Sequence, residues 1–193
     1  MIRSLKPLLL TAVALFLAAC SSRTLQMYTL SAEAPLPHVP PRFTSLRVDY
    51  PKGIEDTMGT RIYFSRSDLT QSYYSYSQWS KSLNRILMAN LIETLQRSGL
   101  ARTVLDYASE ADAAYELEST VYRFEHRITA QGSYADVSIG LRLLHSNDRH
   151  LIAAKVFNYR IPCPSTDAAG FVKAANEAVS RLGTDMIRWL AKQ

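Results

Sequence analysis

Apolar and polar positions along the chain follow two periods, and the places where the period changes mark the elements. Gln26-Met27-Tyr28-Thr29-Leu30 reads as a first short strand. Pro35, Pro37, Pro40 and Pro41 then exclude both a helix and a central strand, so this stretch is an extended surface connection. From Phe43 the period is two: Leu46, Val48 and Tyr50 alternate with Ser45, Arg47 and Asp49 until Pro51 and Gly53 stop the strand. Arg61 to Ser65 is a further short strand, and the tyrosine-rich Ser67–Ser77 segment fits a strand edge or an ordered loop. Over Gln78–Ser98 the spacing becomes three and four. Trp79, Leu83, Ile86, Leu87, Asn90, Leu91 and Leu95 share one helical face, with Ser77 as cap and Gly99 past the end.

Strand spacing returns at Thr103–Tyr107 and again at Ala114–Ile128, where Tyr115, Leu117 and Val121 keep one parity. Phe124 breaks it, which predicts a bulge or twist. Tyr134–Leu144 alternates most cleanly, through Ala135, Val137, Ile139, Leu141 and Leu143. The turn cluster His145–Arg149 leads into Leu151–Ile161, completing an antiparallel hairpin. Thr166 caps a second helix, with Asp167 at its positive end and Phe171, Ala175, Ala178, Leu182, Met186 and Trp189 on one face. Gly170 and Gly183 weaken it and point to close packing or a bend. The order of strands, helix, strands, helix predicts an α+β fold: a mostly antiparallel sheet with two long helices packed on one face.

The N-terminus is different. Arg3 and Lys6 precede an apolar run, Leu8 to Ala19, of signal-peptide length, too short for a membrane span. It closes on Leu17-Ala18-Ala19-Cys20, which resembles a bacterial lipobox. The motif implies that residues 1–19 are removed and that the Cys20 thiol carries a diacylglycerol. Residues 20–26 then form a lipidated tether, and 27–193 a single domain. Processing leaves 174 residues, with 20 basic against 17 acidic side chains. The basic residues are scattered, with no run of five or six, so the clustered patch of a nucleic-acid binder is missing.

Local catalytic chemistry is also missing. His38, His126, His145 and His150 have no metal-site spacing, and no cysteine cluster joins them. There is no Gly-x-Ser-x-Gly elbow, no Ser-x-x-Lys and no glycine-rich phosphate loop. Neither cofactor nor metal is expected. With Cys20 lipidated, Cys163 is the one remaining thiol; it lies between two prolines and reads as a small residue in a rigid turn. Glu116 and Glu118 share a strand face and read as a solvated edge. Tyr73, Tyr74 and Tyr76 cluster ahead of Trp79. They read as core and rim, or as a candidate surface for a partner or for lipid.

Several stretches together resemble the ABC-type transport auxiliary lipoprotein family. They are the lipobox, Tyr28-Thr29-Leu30, Leu46-Arg47-Val48-Asp49-Tyr50-Pro51, Ile62-Tyr63-Phe64-Ser65, Trp79 to Gly99, Tyr115-Glu116-Leu117, Arg123-Phe124-Glu125 and Phe171 through Leu190. Relatives often carry a proline shortly after the tryptophan; here Ser82, Leu83 and Asn84 stand there. The resemblance implies no enzyme. It implies a lipid-anchored component beside an ABC permease, an ATPase and a mammalian-cell-entry type substrate-binding protein, in systems that move phospholipid or other hydrophobic molecules across the envelope. Some relatives form rings, which leaves a homo-oligomer open. Ser21, directly after Cys20, implies sorting to the periplasmic face of the outer membrane. The alternatives are an outer-membrane assembly or structural lipoprotein that binds an outer-membrane protein or glycolipid, and an envelope hydrolase.

Overall fold

A computed structural model describes residues 24–31, 35–53 and 55–193. Its framework is one long strand, β7 (Tyr115–Thr129). Along one edge β7 pairs antiparallel with β8 (Gly132–His145), which pairs antiparallel with β9 (Leu151–Pro162). The other edge of β7 is taken in turn by three strands, all parallel to it. β2 (Phe43–Val48) meets Tyr115–Leu117, β3 (Lys52–Gly53) meets Thr120–Val121, and β4 (Arg61–Ser67) meets His126–Arg127. From β2 the sheet continues to β6 (Ala101–Asp106), in parallel. From β4 it continues to β5 (Thr70–Trp79), antiparallel, and then to β1 (Gln26–Tyr28), parallel. The long ladders are antiparallel and the short ones mostly parallel, so the sheet is mixed and the class is α+β.

The parity break at Phe124 is a bulge. Val121 faces Ile139 and Arg123 faces Ser138, so Tyr122 is the extra residue. Leu117 and Val121 are buried before it, Phe124 and His126 after it. The bulge lets one strand keep feeding the same core while its register slips by one. On β8 the residues Ala135, Val137, Ile139, Leu141 and Leu143 are all buried, as their alternation predicts.

The first helix, α1 (Leu83–Ser98), starts later than its spacing predicts. Trp79 ends β5 instead of opening the helix. Its N–H donates to the Thr60 carbonyl at 2.8 Å, and the Ser80 N–H donates to the Tyr28 carbonyl at 2.6 Å. Sheet hydrogen bonds therefore claim these residues, and Ser77 is a strand residue instead of a cap. Ser82 occupies the cap position without a side-chain bond. The far end behaves as expected, with Gly99 left-handed at φ 72°. α1 rests against β2 and β6, and the second helix, α2 (Ala168–Leu190), against β7, β8 and β9.

The cap of α2 is Asp167, one residue later than expected. Its Oδ1 accepts from the Gly170 N–H at 2.7 Å and from the Ser165 hydroxyl at 2.8 Å. Those bonds hold the carboxyl below the ordinary aspartate range. Both glycines of α2 serve close packing. A Cβ on Gly183 would sit 3.1 Å from Thr94 Cγ2 of α1, so this is where the helices meet. At Gly170 a Cβ would lie only 2.8 Å from the carbonyl carbon of Ser165. At an ordinary helical site Gly→Ala stabilises by about 0.5–1 kcal/mol. Here Gly170→Ala should destabilise by about 1–3 kcal/mol, because the obstacle is backbone. A fall in the urea midpoint checks this; a rise would mean that the capping turn yields freely.

Candidate functional site

Cys20 lies outside the described residues, which begin at Thr24. Among the described residues no helix is long and apolar enough to cross a membrane.

The tyrosine cluster is divided between the two faces of the sheet. In the β4–β5 ladder Arg61 faces Gln78 and Tyr63 faces Tyr73, so the four residues Tyr74 to Ser77 stand opposite Ile62 alone. Tyr73 and Tyr76 are 47% and 50% exposed. The ring of Tyr73 packs 6.4 Å from that of Tyr63, and the Arg61 guanidinium lies 4.5 Å from its centre. Tyr74 does not join this surface, contrary to the grouping read from sequence. Its ring packs 4.9 Å from Phe64, and its hydroxyl is 2.7 Å from His126 Nδ1. Burial pushes the Tyr74 hydroxyl up to about 12.

No sequence pattern distinguishes His126, yet it is fully buried. Its ring stacks on Phe171 of α2 at 5.5 Å, and its Nε2 has no hydrogen-bond partner. Burial lowers its pKa below the ordinary imidazole value, and the Asp167 carboxylate only partly opposes that shift. Near this cluster Cys163 follows β9, its N–H bonded to the Ser133 carbonyl at 2.9 Å. Burial pushes its thiol up, away from the reactive thiolate. The arrangement suits packing and position more than nucleophilic chemistry.

The lowered pKa of His126 has a sign that can be measured. The unfolded chain takes up a proton near about pH 6.5, and the folded chain resists it until lower pH. The stabilisation is therefore complete above that value and is lost as pH falls through it. The urea midpoint should drop between about pH 7.5 and pH 5.5, and His126→Phe should reduce that drop. Equal drops in both proteins would assign the effect elsewhere.

Glu116 and Glu118 are not a solvated edge. Together with Asp49, just past β2, they bring carboxylate oxygens within 4.8 Å of one another. Arg149 reaches Glu116 at 3.0 Å and Glu118 at 2.6 Å, and Arg142 reaches Glu118 at 3.0 Å. Burial, and then the nearby Asp49, raise the pKa of Glu116. Two arginines offset the three acids, so the cluster fastens the β8–β9 turn to the end of β2. His145 and His150 are exposed at that turn, as expected.

A family model described as the ABC-type transport auxiliary lipoprotein component matches residues 28–187. Among solved structures, protein XCC0632 from Xanthomonas campestris superposes with a TM-score of 0.72 at 23% identity, covering 88% of this chain and 93% of its own. A second solved structure, of an uncharacterized protein, gives 0.65 at 19% identity, covering 86% of this chain and 99% of its own. At these identities the two structures share the fold alone with this chain. No curated protein matches the sequence.

Proposed function

The chain belongs to the ABC-type transport auxiliary lipoprotein family, and on that premise we propose that it docks as a non-catalytic, lipid-anchored component of an ABC transport system. The observation that carries this reading is the family match across residues 28–187, nearly the whole domain behind the lipobox. In the finer reading the partners are a permease, an ATPase and a mammalian-cell-entry type substrate-binding protein, and the cargo is phospholipid or another hydrophobic molecule. Cys20 holds the acyl chains, and Ser21 favours the periplasmic leaflet of the outer membrane. A role in binding instead of catalysis is supported by Cys163, whose thiol is pushed up by burial, and by His126, whose Nδ1 is committed to Tyr74. Confinement at one membrane raises the local concentration of the domain toward partners there.

The test is affinity isolation of the lipidated chain from crosslinked envelopes. Recovery of the permease, the ATPase or the entry-type protein is the expected result. Recovery of an outer-membrane barrel protein alone would replace this reading with the assembly alternative.

A further inference from the structure

The wing of the sheet nearest the tether exposes apolar and aromatic side chains on the face away from the core. Met27 of β1 is in register with Gln78 of β5, and Gln78 with Arg61 of β4, so these three side chains point to one side. The next row, Tyr28 with Trp79, points to the other side, where Trp79 is buried in the core. The Met27 row therefore faces away from the core. Met27 is 66% exposed, and Leu25, just ahead of β1, is 48% exposed. Tyr73, under the Arg61 guanidinium, and Tyr76, two residues before Gln78, extend the patch. β1, β4 and β5 contain no Asp or Glu, and Arg61 stands on this face while Arg66 lies over Phe64 on the other. Farther along, the face meets Glu125, which accepts from Ser65 and Gln71, and Asp68 of the β4–β5 turn, and Arg127 pairs with both acids.

The chain itself says what this face meets. Leu25 is five residues beyond Cys20, a reach of at most about 18 Å. If acyl chains hold Cys20 in a leaflet, the β1 edge cannot leave that leaflet's surface. Exposed Leu and Met with flanking Tyr and Arg is the composition of a surface that settles at a membrane interface, and the two acids farther along are offset by Arg127.

We propose that the outer face of β1, β5 and β4 lies on the leaflet that carries the Cys20 lipid. Leu25 and Met27 enter the boundary between headgroups and acyl chains, Tyr73 and Tyr76 sit at headgroup level, and Arg61 meets lipid phosphate. This rests on lipid attachment at Cys20, and it adds an orientation. The anchor then fixes which surfaces of the domain face the periplasm, and the opposite edge of the sheet, β9, is left open to protein partners.

The test uses the lipidated mature chain carrying Cys163→Ser, reconstituted into phosphatidylethanolamine–phosphatidylglycerol vesicles. An environment-sensitive fluorophore is attached through Met27→Cys, through Tyr76→Cys, or through Leu151→Cys on β9 as the remote control. The vesicles are floated first. The expected result is a blue-shifted emission, quenched by spin-labelled lipid, at positions 27 and 76 and not at 151. A floated chain whose labels at 27 and 76 stay as wet as the label at 151 overturns the orientation while leaving the anchor intact. Shielding at 27 and 76 that appears only after transport components are added also overturns it, in favour of a protein contact. A chain that does not float removes the lipid attachment and the orientation together.

Discussion

Replacing Trp79 with Ala should destabilise the protein by about 3–5 kcal/mol. Trp79 is 1% exposed and stands where three elements meet. Its ring lies 6.0 Å from Phe124 of β7 and 6.2 Å from Phe171 of α2, and those two are 6.2 Å from each other. Losing the indole leaves a cavity whose walls cannot readily close. Phe171 is held on its other side by the His126 ring, and Phe124 is fixed by the β7–β8 ladder just past the bulge. The cost therefore includes both the lost transfer energy and the unfilled space. The comparison is Tyr76→Ala, three residues away and half exposed, which should change stability by no more than about 0.5 kcal/mol. Urea unfolding of both variants checks the contrast. A Trp79→Ala midpoint close to that of Tyr76→Ala would mean that the three-ring cluster does not organise the core.

Trp79 also shows where sequence reading stops. Its burial was legible, because it stands four residues before Leu83 on an apolar stripe. Its place at the end of a strand was not, since strand alternation and helical spacing both fit a single apolar residue at that position. What decides is the pair of backbone bonds from Trp79 to Thr60 and from Ser80 to Tyr28, contacts across about twenty and fifty residues that no local pattern contains. The same holds for Tyr74. Its neighbours in sequence are exposed, but the four residues opposite Ile62 break the alternation and Tyr74 turns to His126. Patterns that depend only on the strand itself are legible: the inward row of β8, the bulge before Phe124 and the hairpin turn. Parallel pairing of β2 with β6 and β7, and the joining of Asp49, Glu116 and Glu118 under Arg149, needed the topology. For the surface beside the tether the signal was present in part. Leu25 and Met27 share a parity, but their exposure follows only from the register of β1 against β5, with Trp79 on the buried side.

The largest functional effect is expected at Cys20. Cys20→Ala should move the protein from the membrane fraction to the soluble fraction, with its urea midpoint unchanged. Among the described residues, which begin at Thr24, the first core side chain is Leu30, beyond the tether, so stability is expected not to follow the lipid. Membrane retention has every reason to. Each buried methylene contributes about 0.8 kcal/mol, so one acyl chain holds a protein only marginally and two or three hold it stably. The exposed face of β1 and β5 cannot take over that role. Leu25 and Met27 are two side chains, worth about 1.5–3 kcal/mol each even if fully buried, which is enough to orient a tethered domain and too little to retain a free one at cellular dilution. Fractionation of the wild-type and Cys20→Ala chains, followed by unfolding of the purified variant, reads both halves of the expectation. If Cys20→Ala stays with membranes in the absence of transport partners, the domain itself carries the affinity and the lipid is not the anchor. If the variant leaves the membrane but is also unfolded, the tether is part of the folding unit, and the separation of anchor from domain is wrong.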